Sequence, residues 1–391
     1  MSVNFPEGFV WGVATAAHQI EGGNSNSDWW EFEHREGTPC TEPSGDCCDS
    51  FFRYPEDIAL VRDLGFGSYR FSIEWSRIEP EDGEFSRAAL DHYRRMIAEC
   101  HEQGIDPVVT FHHFSNPRWV AALGGWENPD IVDRFARYCE RTVAHVGDLI
   151  SMACTINEPN VVSLIGYHLG AFPPGKQDRK LVPIVNDNLK AAHRRAVDVL
   201  KAGRGDFPVG WCISMEDWWG PEGAEEMIER ARYIHEGQHL EAAKGDDFIG
   251  VQAYSRTRID ANGHHLGPEP GVELVPSMGY EFWPQALEVA IRNAVEATQA
   301  PAYVTENGLG HDDDTKRVEY VRAALEGVGR CLADGIDVRG YYYWSLLDNF
   351  EWAYGYKPRF GLVEVDRETF VRTPKPSATW IGNVAKANHL D

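Results

Sequence analysis

The sequence predicts an α/β protein in which residues 1–391 form a single (β/α)8 TIM barrel domain with long loops on its active-site face. Eight apolar, strand-like stretches alternate with helix-patterned stretches, as in parallel strand-helix units. No linker rich in Pro, Gly or Ser divides the chain. An open doubly wound sheet would carry a Gly-rich phosphate turn after its first strand, and none is present, so the closed barrel is the better prediction.

The predicted strands are short apolar runs rich in β-branched residues, and the helices show apolar residues at helical spacing with Gly near their ends. Strands are predicted at Phe9–Ala17, Ser68–Trp75, Pro107–His113, Ile150–Glu158, Pro208–Met215, Asp247–Ser255, Ala302–Gly308 and Val338–Leu346. Helices between them are predicted at Ser86–Gly104, Pro129–Asp148, Ala224–Ala243, Trp283–Gln299 and Thr315–Gly335.

Stretches that carry Gly and Pro follow several of these strands, and they are predicted as long loops. In a TIM barrel the loops after the strands form the active-site face, so functional residues are expected there. The loops are predicted at Gly22–Asp49, Gly166–Pro183, Asn262–Tyr280 and Phe350–Phe360.

The composition is that of a globular enzyme, with 43% hydrophobic and 25% charged residues and no apolar run long enough to cross a bilayer. The net charge of −24 at pH 7 disfavours nucleic acids and anionic membranes as partners, because binding either requires Lys and Arg to neutralise phosphate. The N-terminal residues lack a basic region followed by an apolar region. We therefore expect no secretory signal and a cytoplasmic location.

The eight cysteines are expected to be free thiols, because the chain is long and shows no secretory signal. A metal site is not predicted. Cys47 and Cys48 are adjacent rather than spaced as C-x-x-C, and no second pair accompanies them. The sequence also gives no indication of a cofactor.

Two glutamates, Glu158 and Glu306, stand at the ends of the fourth and seventh predicted strands. A barrel brings these strand ends to one mouth. Hydrolysis of a glycosidic bond needs one carboxylic acid to protonate the leaving oxygen and one ionised carboxylate at the anomeric carbon. Two neighbouring carboxyls meet that need, because the charge of one raises the pKa of the other. A single glutamate at a strand end is more often a solvated cap, but the pair favours glycoside hydrolysis.

Five motifs in this order resemble family 1 of the glycoside hydrolases, the retaining β-glucosidases and their relatives. The resemblance extends from Phe5 to nearly the C-terminus, and one motif alone would be weak. The motifs are Phe9–Gly22, Tyr69–Ile73, Asn157–Pro159, Thr305–Gly308 and Trp344–Trp352.

The resemblance implies that Glu158 is the general acid/base and that Glu306 is the nucleophile. It implies that Arg70 and Tyr254 lie beside Glu306 and keep it ionised. It also implies a small-molecule β-glycoside or short oligosaccharide as the substrate, with its hydroxyls bound by amide, imidazole and carboxylate groups and its ring lying on an indole. The implied sugar-binding residues are Gln19, His113, Asn157, Trp344, Glu351 and Trp352, with Tyr254 beside them.

Taken singly, these residues also have structural explanations. His112 and His113 could be a structural pair at the barrel rim, and an isolated Trp is more often part of a core. The sequence also departs from the family pattern at several positions. A Tyr commonly stands where this chain has His18, and Asn-Tyr-Tyr where it has Gln252–Tyr254, so the floor beside the nucleophile is expected to differ.

Other departures, at Phe114–Pro117 and Phe172–Gly175, leave the preferred leaving group open. Glu351 would repel a sugar phosphate, and Glu158 stands where relatives that cleave thioglucosides carry Gln. O-Glycosides without a 6-phosphate are therefore expected. The resemblance leaves open glucoside, galactoside and fucoside substrates. A transglycosylase using the same site and a catalytically inactive sugar-binding barrel remain alternatives.

Overall fold

The computed structural model describes residues 2–391 and contains a closed barrel of eight parallel strands. Neighbours around the barrel are neighbours in the chain, and the last strand pairs with the first. The strands, labelled β1 to β8, are Val10–Ala14, Ser68–Ser72, Asp106–His112, Met152–Asn157, Val209–Ser214, Phe248–Gln252, Ala302–Asn307 and Val338–Trp344. The predicted (β/α)8 barrel is confirmed. Only β3 extends beyond its predicted stretch, beginning one residue earlier at Asp106.

Helices cover the outside of the barrel and also lie within the loops of the active-site face. The α-helices are Ala17–Ile20, Asp28–His34, Ser50–Leu64, Trp75–Ile78, Arg87–Glu102, Arg118–Ala122, Ile131–Val146, Pro159–Ser163, Leu181–Ala202, Glu225–Arg232, Gln238–Ala242, Ala286–Thr298, Asp314–Ala333 and Pro376–Ala387. The 3-10 turns are Gly125–Glu127, Gly147–Leu149 and Trp352–Tyr354, and the π-helical segments are Leu164–Leu169 and Tyr233–Gly237.

Capping and apolar spacing explain the helix at Arg87–Glu102. The hydroxyl of Ser86 accepts a hydrogen bond from the Ala89 N–H at 3.2 Å, which satisfies a free donor of the first turn. The helix ends before Gly104, which has a positive φ of 72°. Its buried residues Leu90, Tyr93, Ile97 and Cys100 recur every three or four positions and face the barrel.

Three predictions of secondary structure need correction. The predicted helix Ala224–Ala243 is divided by the π-helical segment Tyr233–Gly237. The predicted loop Gly22–Asp49 contains the helix Asp28–His34, whose N-cap Ser27 accepts a hydrogen bond from Trp30 N–H at 3.1 Å. The predicted loop Gly166–Pro183 begins inside the π-helical segment Leu164–Leu169 and ends inside the helix Leu181–Ala202. Pro183 is tolerated in the first turn of that helix, because a backbone N–H there would have no partner within the helix.

Two buried clusters correspond to the two faces of the barrel strands. The smaller cluster joins residues such as Val108, Met152 and Cys154, which alternate along their strands with members of the larger cluster. Because side chains in a strand point to opposite faces in turn, one cluster fills the barrel and the other packs under the helices. The filling is tight, since a Cβ atom on Gly12 would collide with the ring of Tyr342.

Three small two-stranded sheets lie outside the barrel. Their strands are Val3–Asn4 with His389–Leu390, Asp217–Trp219 with Arg256–Arg258, and Val363–Val365 with Arg372–Pro374. The second of these extends the loops after β5 and β6 as a parallel pair beside the barrel mouth. Among residues 2–391, no helix combines the length and apolar character needed to cross a lipid bilayer.

Candidate active site

Glu158 lies where strand β4 passes directly into the helix Pro159–Ser163. Its backbone is in the left-handed region, with φ 44° and ψ 64°, and its N–H donates to the Cys212 carbonyl at 2.8 Å. Pro159 occupies the first helical position, where the missing N–H would have no partner in the helix. The residue is 8% exposed and lines the cavity at the barrel mouth.

Glu306 lies near the C-terminal end of β7 and also lines this cavity. The residue is 4% exposed, and the two preceding residues are fully buried in the barrel wall. Two residues further on, Gly308 allows β7 to approach β8, because a Cβ atom there would collide with the Trp344 carbonyl oxygen. The barrel therefore brings together both of the glutamates that the sequence singled out.

Arg70 and Tyr254 hold the carboxylate of Glu306 from two sides. Arg70 Nη1 donates to Glu306 Oε1 at 2.6 Å, and the Tyr254 hydroxyl donates to Oε2 at 2.8 Å. Arg70 is itself fixed, because its Nε donates to Thr110 Oγ1 and its Nη2 donates to Asn157 Oδ1. A fully buried guanidinium with this set of acceptors provides a rigid positive charge next to Glu306.

The surroundings of the two carboxyls separate their protonation states. Burial raises the pKa of both, but at Glu306 the charge of Arg70 and the hydrogen bonds from Arg70, Tyr254 and Gln252 act against that rise. At Glu158 the charge of Glu306 adds to burial, and the pKa lies well above its ordinary range, although a hydrogen bond with Ser214 and the charge of Arg70 oppose the rise. Glu306 is therefore the carboxyl that ionises first, and Glu158 is the one that keeps its proton.

Gln19 and Glu351 form a polar group beside Trp344. Gln19 Nε2 donates to the Phe350 carbonyl at 2.8 Å and to Glu351 Oε2 at 3.3 Å, while its buried Oε1 has no hydrogen-bond partner. Burial and the charge of Glu306 raise the pKa of Glu351 to about 8, against hydrogen bonds from Gln19 and Trp344. This group offers an unpaired amide oxygen and a carboxyl, which are suitable partners for sugar hydroxyls.

Asn157 and His113 form a second polar group. Asn157 Oδ1 accepts from both Arg70 and Gln252, and its Nδ2 donates to His113 Nε2 at 3.2 Å. Burial and then the charge of Arg70 lower the pKa of His113 well below its usual range, so the ring is neutral. A neutral ring that accepts at Nε2 carries its proton on Nδ1, and that nitrogen is buried without a partner.

Aromatic rings support the same region. His113 stacks on Trp344 with ring centroids 5.7 Å apart, and on Trp352 at 6.0 Å. Trp352 also stacks on His18, with ring centroids 5.7 Å apart and an angle of only 5° between the rings. His18, which departs from the family pattern, is held by Asn24 at 3.0 Å and thus fixes the position of Trp352.

The cavity that these residues surround has a volume of about 660 Å³. Seven of the ten residues singled out from the sequence line it: Glu158, Glu306, His113, Tyr254, Trp344, Glu351 and Trp352. The other three, Gln19, Arg70 and Asn157, are fully buried and do not line the cavity; each hydrogen-bonds a lining residue. The barrel therefore gathers all ten around one site.

Several residues of the site were not singled out as candidates from the sequence. Gln252 donates to Asn157 Oδ1 at 2.9 Å and also bonds to Glu306, and Ser214 hydrogen-bonds Glu158. Thr110 orients Arg70 at 3.1 Å. Gln252 was detectable as a polar amide at the end of an apolar strand, whereas Ser214 and Thr110 give no signal that distinguishes them from ordinary strand residues. Within residues 2–391, no three His, Cys, Asp or Glu side chains are grouped so that they could hold a metal ion.

The chain matches the family described as glycosyl hydrolase family 1 over residues 1–243 and 243–390. This chain belongs to glycosyl hydrolase family 1. Its relatives within the family include the 1,4-beta-D-glucan glucohydrolase of Thermotoga neapolitana, which is 35% identical with 99% of each chain covered. Beta-glucosidase A of Thermotoga maritima is 34% identical, again with 99% of each chain covered.

Solved structures of the family agree with this assignment. The beta-glycosidase BGL167 is 48% identical, with a TM-score of 0.92, and covers 98% of this chain and 97% of its own. The family 1 beta-glucosidase of Thermotoga maritima has a TM-score of 0.95 at 32% identity, with 99% of each chain covered. As a member of glycosyl hydrolase family 1, this protein is an O-glycosyl hydrolase.

Proposed function

We propose that this protein is a retaining β-glucosidase that removes terminal β-D-glucosyl residues from O-glycosides. The observation that carries the proposal is the unequal environment of its two cavity carboxyls. Glu306 is bonded to Arg70 at 2.6 Å and to Tyr254 at 2.8 Å, whereas Glu158 has the charge of Glu306 next to it. Retaining hydrolysis needs one ionised and one protonated carboxyl.

In the first step, a carboxylate oxygen of Glu306 attacks the anomeric carbon, and the bond from that carbon to the leaving oxygen breaks. Glu158 gives its proton to that oxygen as the alcohol leaves. The product is a glycosyl ester on Glu306. Arg70 and Tyr254 favour the ionised form of Glu306, so the nucleophile is present before substrate binds.

In the second step, water cleaves this ester. Esterification removes the negative charge of Glu306, which in the free protein raises the pKa of Glu158. The pKa of Glu158 therefore falls, and its carboxylate takes a proton from the attacking water. Two inversions at one carbon retain the β configuration. This mechanism needs the two carboxyls about 5 to 5.5 Å apart, rather than the wider gap of an inverting enzyme.

The sugar is proposed to bind to polar groups of the cavity lining and to Gln19, which lies buried directly behind Glu351. Gln19 Oε1 and Glu351 accept from hydroxyls, while His113 Nδ1 donates to one. The indole of Trp344 packs against the C–H face of the ring. Glu351 would repel a 6-phosphate, so we propose unphosphorylated substrates. The names of the relatives, beta-glucosidase and glucan glucohydrolase, support glucose as the sugar.

The proposal is tested with aryl β-glycosides that share one phenol and differ only in the sugar. We expect the glucoside to be hydrolysed, the 6-phosphoglucoside to be inert, and proton NMR of the first product formed to show the β anomer. Formation of the α anomer first would contradict the retaining mechanism. Absence of hydrolysis with glucoside, galactoside and fucoside alike would contradict a glycosidase function.

A further inference from the structure

The leaving group of the proposed reaction must occupy the part of the cavity next to Glu158, because that residue protonates the departing oxygen. One wall there is apolar. The helical stretch that begins after Glu158 directs Val161, Ile165 and Leu169 into the same cavity, at a regular spacing of four residues. Leu169 is 55% exposed at the rim, so this wall continues from the acid to the cavity mouth.

Glu216 lines the same cavity as the acid. It belongs to the extended segment that continues from β5 into the strand Asp217–Trp219, two residues after Ser214, which hydrogen-bonds Glu158. Residues two apart in an extended chain share a face, and both Ser214 and Glu216 line the cavity. Glu216 therefore faces the leaving group and is not among the residues that surround the sugar.

The carboxyl of Glu216 is held by groups around it. It hydrogen-bonds the Thr257 side chain, and its backbone N–H donates to Glu236 Oε2 at 3.2 Å. Burial raises its pKa to about 7, His235 opposes the rise, and Glu236 and Asp217 add to it. Near neutral pH the carboxyl is therefore divided between two forms, and both can accept a hydrogen bond from a ligand.

No free Lys or Arg in the described cavity lining balances Glu216; His235, which opposes the rise of its pKa, does not line the cavity. Among the described residues that line the cavity, the only Lys or Arg is Arg256. Its guanidinium is paired with Glu269 and Glu281, each at 2.5 Å, and lies on the ring of Trp283 at 3.7 Å. The lining also contains four carboxyl groups, of which Glu306 ionises first and Glu216 is partly ionised near neutral pH, so an anionic leaving group would find repulsion without a partner.

We propose that Glu216 is a specificity-determining residue for the leaving group. It selects apolar, ring-shaped aglycones that carry a hydrogen-bond donor or a cation, and it disfavours aglycones that carry an anion. The inference rests on the proposed β-glucosidase function and adds the class of aglycone to it. The apolar wall of Val161, Ile165 and Leu169 provides the surface for the ring, and Glu216 meets its polar end.

Three substrates test the inference: the β-glucosides of 4-(aminomethyl)phenol, 4-(hydroxymethyl)phenol and 4-(carboxymethyl)phenol. The methylene group separates the charge from the phenol oxygen, so the three leaving groups are similar in reactivity. With the unchanged protein at pH 7, we expect kcat/KM for the aminomethyl substrate to exceed that for the carboxymethyl substrate by about tenfold, as expected for one partly screened charge pair. The hydroxymethyl substrate should fall between them.

Glu216→Gln keeps the size of the side chain and removes its charge, so it should reduce this ratio about fivefold. Glu222→Gln makes the same chemical replacement at an exposed position outside the cavity lining and should leave the ratio unaltered. A thermal melt of each variant establishes that it is folded. Equal ratios in the unchanged protein and Glu216→Gln would overturn the inference while leaving glucoside hydrolysis intact. If none of the three glucosides is hydrolysed, the proposed function is overturned and the inference with it.

Discussion

Arg70 Nη1 lies 2.6 Å from Glu306 Oε1, in a site where the guanidinium is fully buried and the carboxylate almost so. The two residues are far apart in the chain and meet only because the barrel closes, which leaves β8 and β1 alone between β7 and β2. The same guanidinium also bonds Asn157, next to Glu158. Together with its bond to Thr110, this arginine of β2 thus connects residues of β3, β4 and β7, and it favours the ionised form of the proposed nucleophile.

Replacing Arg70 with Lys should lower kcat/KM by at least about 100-fold, because a single ammonium group cannot make all the hydrogen bonds of the guanidinium. Removing one partner of a buried ion pair typically destabilises the other by about 3–5 kcal/mol. The pKa of Glu306 should rise in this variant, since Arg70 lowers it in the unchanged protein. The acid limb of the pH profile of kcat/KM should therefore move to higher pH. Arg317→Lys is the matched control, since Arg317 is buried and paired with Asp314 outside the cavity lining. An equal shift in both variants would contradict a specific role for Arg70.

Tyr254→Phe removes the hydroxyl that donates to Glu306 Oε2 at 2.8 Å. A hydrogen bond to a charged group contributes about 1.5–3 kcal/mol, so kcat/KM should fall about tenfold to a hundredfold. Tyr342→Phe provides the comparison, because that buried hydroxyl bonds Ser68 within the barrel and does not line the cavity. Steady-state kinetics on one aryl β-glucoside should separate the two variants; similar rates for both would count against the Tyr254 contact.

Glu306→Gln should lower the pKa of Glu158. The charge of Glu306 is the second largest cause of the raised pKa of Glu158, after burial, and the neutral amide removes it. Carbon-13 NMR of the glutamate carboxyls can follow this titration in the unchanged protein and the variant, with Glu158→Gln used to assign the signal. An unchanged or higher pKa for Glu158 would mean that the two carboxyls do not interact as proposed.

Glu158→Gln should make the protein more stable at pH 7 to 8 while it reduces turnover. The folded state raises the pKa of Glu158 above its ordinary value of 4.5, so it holds the proton more tightly than the unfolded chain does. That contribution to stability is complete below pH 4.5 and is lost as pH rises through the raised pKa. Each pKa unit corresponds to about 1.4 kcal/mol. The variant should therefore melt at a higher temperature at pH 8, with a much smaller difference at pH 4.5; a lower melting temperature at pH 8 would refute the argument.

Azide distinguishes the nucleophile from the acid/base. Glu306→Gly should lose activity and regain it with added azide, giving the α-glucosyl azide, because the anion attacks from the side that the carboxylate occupied. Glu158→Ala should instead give the β-azide with a substrate whose leaving group needs no protonation, because azide then attacks the glycosyl ester. NMR of the isolated azides identifies the anomers. The α-azide from Glu158→Ala would reverse the proposed roles.

Local patterns in the sequence were sufficient to predict the barrel. Eight apolar runs ending near Gly, Pro or polar residues marked the starts of β1 to β8 to within two residues, because burial on both faces leaves a strong local signal. The helix Asp28–His34 was missed, since its residues lie among Gly, Ser and Asn and its stability comes from the Ser27 cap and from packing of Trp29 against Phe172. The π-helical break at Tyr233–Gly237 likewise has no local signature.

The sequence alone determined the fold class and the two strand-end glutamates, because hydrophobic period and turn residues are local properties. The assignment of the other site residues came from their resemblance to family positions. The tertiary structure decided which partners each residue meets: Arg70 with Glu306 and Asn157, Ser214 with Glu158, and Glu216 in the cavity that Glu158 lines. These contacts join strands that are distant in the chain. The pKa differences between the carboxyls depend on burial and on charges in space, which arise only when the barrel closes.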